Sequence, residues 1–368
     1  MKSKIRVLSL FDGMSCGQIA LERAGFDVEV YYASEIDKHA VTVAQANYPN
    51  TVQMGCVKKV REMAELGVLG RIDLLIGGSP CQGFSFAGKQ LAFDDPRSAL
   101  FFEYIWTLQA LKRINPGIKF LLENVKMKRE HLDFITICLG VKPHFINSAL
   151  VSAQNRQRYY WYNWECDDPE DKGLLLKDII EDGLVDREKS YCIDAHYYKG
   201  GSLKNYLKKK RRQIVGIAET ENGLRPYKND GRKGSLSEIG TIASPENKVS
   251  TITVANIPSI TGVAQRRRAG NFEMRKDQKA NALLAGGHQS RFITNPNFTQ
   301  SEKRLMVSHS EYQYRKLTPL ECERLQTVPD DYTNHVSDTQ RYKMLGNGWT
   351  VDVIAHLLKG LKDELQNV

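Results

Sequence analysis

The chain has 368 residues, 41% hydrophobic and 26% charged, with 52 Lys and Arg against 43 Asp and Glu for a formal charge of +9. This balance excludes long disorder, a collagen repeat and a coiled coil, and the positive surplus favours a polyanionic partner. No apolar run approaches the roughly 20 residues of a membrane helix, and residues 1–11 hold neither a long apolar stretch nor a small-residue cleavage site, so a cytoplasmic protein is expected.

In chain order, residues 5–11 read as a buried strand, 17–24 as a helix, 28–33 as a second strand, and 37–47 as a helix with Asp37 at its N-cap. Residues 72–76 are the next expected strand, ending at Gly77-Gly78. From about Ser98 a helix is expected, with Leu100, Phe101, Tyr104, Ile105, Leu108 and Leu111 on one face. Residues 119–123 and 145–151 read as further strands. Strand–helix alternation of this kind predicts right-handed crossovers and a doubly wound, mostly parallel α/β sheet, which binds ligands at the carboxyl ends of its strands.

Residues 166–304 carry +7 of the net charge and the remainder +2, with basic residues concentrated in 204–212 and in Arg266-Arg267-Arg268. A smaller inserted domain over 166–304 is therefore expected between two parts of one larger domain, 1–165 and 305–368. Thr318-Pro319-Leu320-Glu321 resembles an N-cap, a proline at the first helical position and an acidic first turn. That helix should run to about Gln326. A last amphipathic helix, 349–365, has Val353, Ile354, Leu357, Leu358 and Leu361 as its stripe. Seven cysteines with no CxxC pair argue against a disulfide framework or a zinc cluster, and no metal is expected.

Five segments carry chemistry. Phe11-Asp12-Gly13-Met14-Ser15-Cys16-Gly17 follows the first strand and opens a helix, where free N–H groups suit an anionic ligand; it is not GxGxxG, and a structural turn is the alternative. Glu35, in Ser34-Glu35-Ile36-Asp37, ends the second strand where a carboxylate can accept from ribose hydroxyls; a solvated side chain beside a helix cap is the alternative. Gly77-Gly78-Ser79-Pro80-Cys81-Gln82-Gly83 puts a thiol on a loop directly after a buried strand. This fits a nucleophile better than a core cysteine, with Arg156 and Arg158 as candidate cationic neighbours. Glu123-Asn124-Val125 ends the next strand at the same edge, where a partly desolvated carboxyl could act as an acid or donor. In Gln154-Asn155-Arg156-Gln157-Arg158, strand periodicity would give Gln154, Arg156 and Arg158 one face.

Together, prolyl-cysteine, Glu-Asn-Val and Gln-x-Arg-x-Arg in this order resemble the DNA cytosine-5 methyltransferase family. The Phe-x-Gly opening, Arg315-Lys316-Leu317-Thr318-Pro319-Leu320-Glu321-Cys322 and Leu345-Gly346-Asn347-Gly348 are also similar to it. The resemblance covers roughly residues 5–165 and 310–368 and leaves the basic insert as the variable target-recognition region. Residues 78–88 look bacterial or phage-like, whereas residues 12–17 and Gly348-Trp349-Thr350-Val351 resemble the catalytic domain of the vertebrate de novo methyltransferases.

The resemblance implies an S-adenosylmethionine-dependent methyltransferase fold acting on duplex DNA, with S-adenosylhomocysteine as product. It assigns Cys81 to attack on carbon 6 of a flipped-out cytosine. Glu123 would act at ring nitrogen 3 and Arg158 at the carbonyl oxygen, with Arg156 in support. Phe11, Asp12, Gly13, Met14, Ser15 and Cys16 would surround the donor's methionine part, with Glu35 on its ribose. Ile36, Cys56, Val57 and Pro80 would line the rest of the donor site, and Asn347, Gly348 and Trp349 would close it. Two positions depart from the family: Cys56 stands where an aspartate is usual, and Gly348 replaces the serine of Gly-Asn-Ser. A monomeric state is expected, and a stand-alone enzyme and one with a restriction endonuclease partner are both open. A tRNA cytosine-5 methyltransferase and an inactive DNA-binding regulator are the alternatives.

Overall fold

The computed structural model describes residues 4–79, 99–200, 206, 209–217, 219–220, 223–224, 265–268, 271–274 and 313–366, with backbone alone over 217–274 and at 313. Two compact units divide the chain: the first holds residues 1–174, 194–198 and 322–368, the second 175–193 and 199–321.

In the first unit a seven-stranded sheet is built on β1 (Ile5–Leu10). β2 (Val28–Ser34) and β4 (Leu74–Gly77) flank β1 in parallel; β3 (Val52–Gln53) extends the β2 side and β5 (Lys119–Val125) the β4 side. Beyond β5 the sheet turns antiparallel through β7 (Gln157–Tyr162) and then β6 (His144–Asn147). The order β3-β2-β1-β4-β5-β7-β6 reverses direction between β1 and β4. Crossovers to opposite faces leave a crevice at the carboxyl ends of those two strands.

α1 spans Cys16–Arg23, α2 Lys38–Asn47, α3 Val57–Glu65, α4 Ala99–Ile114 and α5 Arg129–Leu139; α1, α2 and α4 match expected helices, whereas α3 and α5 are additional. Asp37 caps α2, its Oδ1 accepting from the His39 N–H at 3.0 Å. Near the C-terminus come α6 (Asp338–Asn347) and α7 (Val351–Gln366). Because β4 and β5 are covered on both faces, they read as continuous apolar runs: Leu74, Leu75 and Ile76 are buried, as are Phe120, Leu121 and Leu122. One core layer joins Leu8, Leu10, Leu75, Phe120 and Leu122 to Phe101, Tyr104 and Leu108 of α4 and Val60 of α3. Burying each such side chain contributes about 1.5–3 kcal/mol. α1 packs against α7, whose Val353, Ile354, Leu357, Leu358 and Leu361 are all buried.

Two expectations differ. Residues 148–150 form a 3₁₀ turn instead of continuing β6. The Asn147 side chain accepts from the N–H groups of Ala149 (3.2 Å) and Arg156 (3.0 Å) and so redirects the backbone. The Gln154–Arg158 stretch is interrupted for the same reason. Arg156 lies between a two-residue strand, Gln154–Asn155, and β7, yet Gln154 and Arg156 are buried while Asn155 and Gln157 are exposed, so the period-two alternation holds across the break.

The second unit contains an antiparallel pair, Ile214–Ile217 with Gln313–Lys316, and a second, Gln265–Arg268 with Asn271–Met274. Arg187 stacks on the rings of Tyr191 (4.0 Å) and Tyr206 (5.0 Å). Thr318 and Glu321 form a capping box: the Glu321 N–H donates to Thr318 Oγ1 (3.1 Å), and the Thr318 N–H donates to Glu321 Oε2 (2.8 Å). Lys204 and Lys208 of the basic run at 204–212 and all the side chains of Arg266–Arg268 lie outside the described residues.

Candidate active site

At the carboxyl edge of the first unit's sheet is a cavity of about 580 Å³. Its walls include Phe11, Asp12, Gly13 and Cys16 after β1, Glu35 and Ile36 after β2, and Cys56 and Val57 at the start of α3. Gly78 and Ser79 follow β4, Glu123–Val125 end β5, and Arg156, Arg158 and the Gly346–Trp349 turn complete it. The sequence-predicted residues are therefore brought together with few exceptions. Met14 is buried, and its carbonyl accepts from the Tyr332 hydroxyl at 2.7 Å. Ser15 is buried and donates to Asp12. Neither lines the cavity. Pro80 and Cys81 lie outside the described residues.

The β1 loop is tightly wound, with Phe11 (φ 58°), Gly13 (φ 60°) and Ser15 (φ 64°) all left-handed. Two of these are not glycine, and each such residue stores strain of roughly 1–3 kcal/mol that the surroundings must hold. Glu35 helps to hold it: its Oε2 accepts from the Gly13 N–H (2.9 Å), and its Oε1 from the N–H groups of Ile36 (2.7 Å) and Asp37 (2.8 Å). Asp12 accepts from Tyr31 Oη (2.6 Å) and from Ser15, and burial pushes its carboxyl up to about 6. Burial likewise pushes the Cys16 thiol up to about 12, so this sulfur stays protonated near neutral pH.

Glu123 is held at both oxygens. Arg158 Nε lies 2.8 Å from Oε1 as an ion pair, and the Trp349 indole N–H donates to Oε2 at 3.2 Å. Asn124, next along β5, donates to Ser79 Oγ at 3.2 Å, fixing the residue two before Cys81. Arg156 is buried, and its Nη2 donates to the carbonyls of Gly346 (3.3 Å) and Gly348 (2.7 Å). Gln326 holds the same turn, donating to Leu345 O (2.6 Å) and Gly348 O (3.1 Å) while accepting from Gln154 (2.8 Å) and Thr350 (3.0 Å). Gln326, Ser79 and Lys343, which pairs with Asp37 at 2.7 Å, were not legible as site residues; their partners are far away in sequence.

Both family departures have a physical setting. Cys56 is the N-cap of α3 and makes no side-chain capping bond, where an aspartate would contribute about 1 kcal/mol. At Gly348 an added Cβ would sit 3.0 Å from Met14 Cε and 3.1 Å from the Met344 carbonyl. Serine there would require Met14 to move.

A sequence profile described as C-5 cytosine-specific DNA methylase matches residues 5–363. The chain belongs to that family. It is an enzyme that methylates carbon 5 of cytosine in DNA, and family and fold imply use of S-adenosylmethionine. The orphan methyltransferase M.SPRI of Bacillus phage SPR is 28% identical over 97% of each chain. The type II methyltransferase M1.ScrFI of Lactococcus lactis subsp. cremoris is 25% identical over 99% of this chain and 79% of its own. Among solved structures, the Entamoeba histolytica methyltransferase EhMeth superposes with a TM-score of 0.54 at 16% identity over 99% of each chain. Spodoptera frugiperda DNMT2 gives 0.53 at 19% identity over 98% of this chain and 100% of its own. At these identities the structural likeness concerns the fold. Among the described residues, no helix is long and apolar enough to cross a membrane.

Proposed function

We propose that the cavity takes the methyl donor at its β1–β2 end and a flipped-out cytosine of duplex DNA at its β5 end. Cys81 is the nucleophile, and the second unit reads the target sequence. The observation that carries this reading is Glu123: a buried carboxyl on the cavity wall, ion-paired with Arg158 at Oε1 and accepting from the Trp349 indole at Oε2.

The residues fit S-adenosylmethionine. Ile36 is 79% exposed on the rim, an apolar surface for a purine. Three backbone N–H groups occupy Glu35, leaving about one of its four lone-pair positions for a ribose hydroxyl. Asp12 offers carboxylate charge beside a cationic centre. When bound, the donor supplies an electrophilic methyl on a sulfonium. In the protein's part of the reaction, the Cys81 thiolate adds to carbon 6, while Glu123 shares a proton with ring nitrogen 3 and Arg158 donates to the carbonyl oxygen. Electron density then builds at carbon 5, which takes the methyl. Loss of the carbon-5 proton to a base returns the electrons, the sulfur–carbon bond breaks, and Cys81 leaves as thiolate. Arg156 acts through the turn it holds and not on the base.

M.SPRI is named an orphan and M1.ScrFI a type II enzyme, so either a stand-alone role or a restriction partner fits this chain; a cytoplasmic monomer is the simplest arrangement. The test is Cys81→Ser, assayed by methyl incorporation into duplex DNA and by donor binding. Methylation should vanish while donor affinity stays within about threefold. Retained methylation overturns Cys81 as nucleophile. Bisulfite sequencing of DNA from expressing cells would read the target motif.

A further inference from the structure

We propose that Trp349 is a positioning residue for the Glu123 carboxylate, so that the turn enclosing the donor also orients the group acting on the base. This role rests on Glu123 acting at the cytosine. The indole N–H donates to Glu123 Oε2 at 3.2 Å, while Arg158 Nε faces Oε1 at 2.8 Å. A donated hydrogen bond on one oxygen and an ion pair on the other fix the rotation of the carboxylate about its last bond.

The indole is itself fixed. Its residue follows Gly348, whose carbonyl is held by Arg156 (2.7 Å) and Gln326 (3.1 Å), and precedes Thr350, whose hydroxyl donates to Gln326 (3.0 Å). Its own carbonyl accepts from the Cys16 thiol at 3.9 Å. The sequence also leaves room for it. A Cβ on Gly78 would fall 2.8 Å from the indole nitrogen and 3.0 Å from Glu123 Oε2, and a Cβ on Gly17 would lie 3.7 Å from the indole ring. The side-chain-free position at Gly78 is thus where indole and carboxylate meet.

The experiment is a double-mutant cycle on the full chain, with Trp349→Phe, Glu123→Gln and the pair, read as single-turnover methyl transfer to duplex DNA beside donor KM and donor binding. Trp349→Phe keeps an aromatic ring and removes the N–H. Its rate should fall about tenfold, the loss expected for a hydrogen bond to a charged group, with donor KM changed less than threefold. In the Glu123→Gln background the same substitution should change the rate less than threefold. Gly78→Ala, which crowds the contact from the opposite side, should lower the rate without altering donor binding, and serves if Trp349→Phe does not fold. Additive effects, or a Trp349→Phe loss entirely in donor KM, would overturn the positioning role while leaving Glu123 in place. A rate within threefold of wild type for Glu123→Gln alone would instead overturn the reading of Glu123.

Discussion

Glu123 and Glu323 both belong to the first unit, both are less than a tenth exposed, and each faces an arginine, Arg158 and Arg341 respectively. Around Glu323 the protein takes up the carboxylate almost completely. Oε1 accepts from the Thr333 N–H (2.8 Å), the Thr333 hydroxyl and Arg341 Nη2 (3.0 Å), and Oε2 from the Asp331 N–H (2.8 Å). Glu123 accepts from the Trp349 indole, is ion-paired with Arg158 and borders a cavity. The same pair of residue types is architectural where the protein takes up most of the carboxylate internally, and available for chemistry where the carboxylate opens on a cavity. Ionisable type and burial alone do not separate the two.

The sharpest way to break this contrast is to make the same substitution in both places. Glu123→Gln should lower the methylation rate by about 100-fold or more, the lower range of general acid–base contributions, while costing about 1 kcal/mol of stability. Glu323→Gln should cost about 3 kcal/mol in denaturant unfolding, because it removes the nearer carboxylate of buried Arg341 and leaves only Asp338 at 3.7 Å. Equal stability losses would erase the distinction.

Asp12 sharpens it through pH. Its carboxyl is raised by burial to about 6, so ionising it in the folded state is unfavourable relative to the unfolded chain. The stability this group contributes is fully present below the unfolded value near 3.8 and is lost as pH rises through about 6. Asp12→Asn should therefore gain on the wild type by roughly 2–3 kcal/mol between pH 4 and pH 7 in urea unfolding. A pH-independent difference would mean that Asp12 ionises freely. The smallest expected effect is at Gln326. Gln326→Leu removes one of the two acceptors of the Gln154 amide and the side-chain donor to the Leu345 carbonyl, and should cost about 1–3 kcal/mol while raising donor KM.

The sheet was legible because β1, β2, β4 and β5 are buried enough to read as apolar runs bounded by helix caps such as Asp37. The antiparallel half was not. Its register depends on the Asn147 side chain, which accepts from Ala149 and Arg156 and makes the turn that interrupts the expected strand. In the site, residues on loops directly after strands could be found, since topology sends those loops to one edge. Glu123 and Trp349 are 226 positions apart, and Gln326 and Gly348 22 apart. No periodicity encodes such pairs, because they form only when separate elements are packed together.

The packing of Met14 against Gly348 bears on any exchange of segments with relatives. Grafting in a turn that carries the usual serine would bring its methylene to 3.0 Å from Met14 Cε, so that end of the side chain has to shift by a few tenths of an ångström in the same step. The two positions, more than three hundred residues apart along the chain, are coupled through that contact.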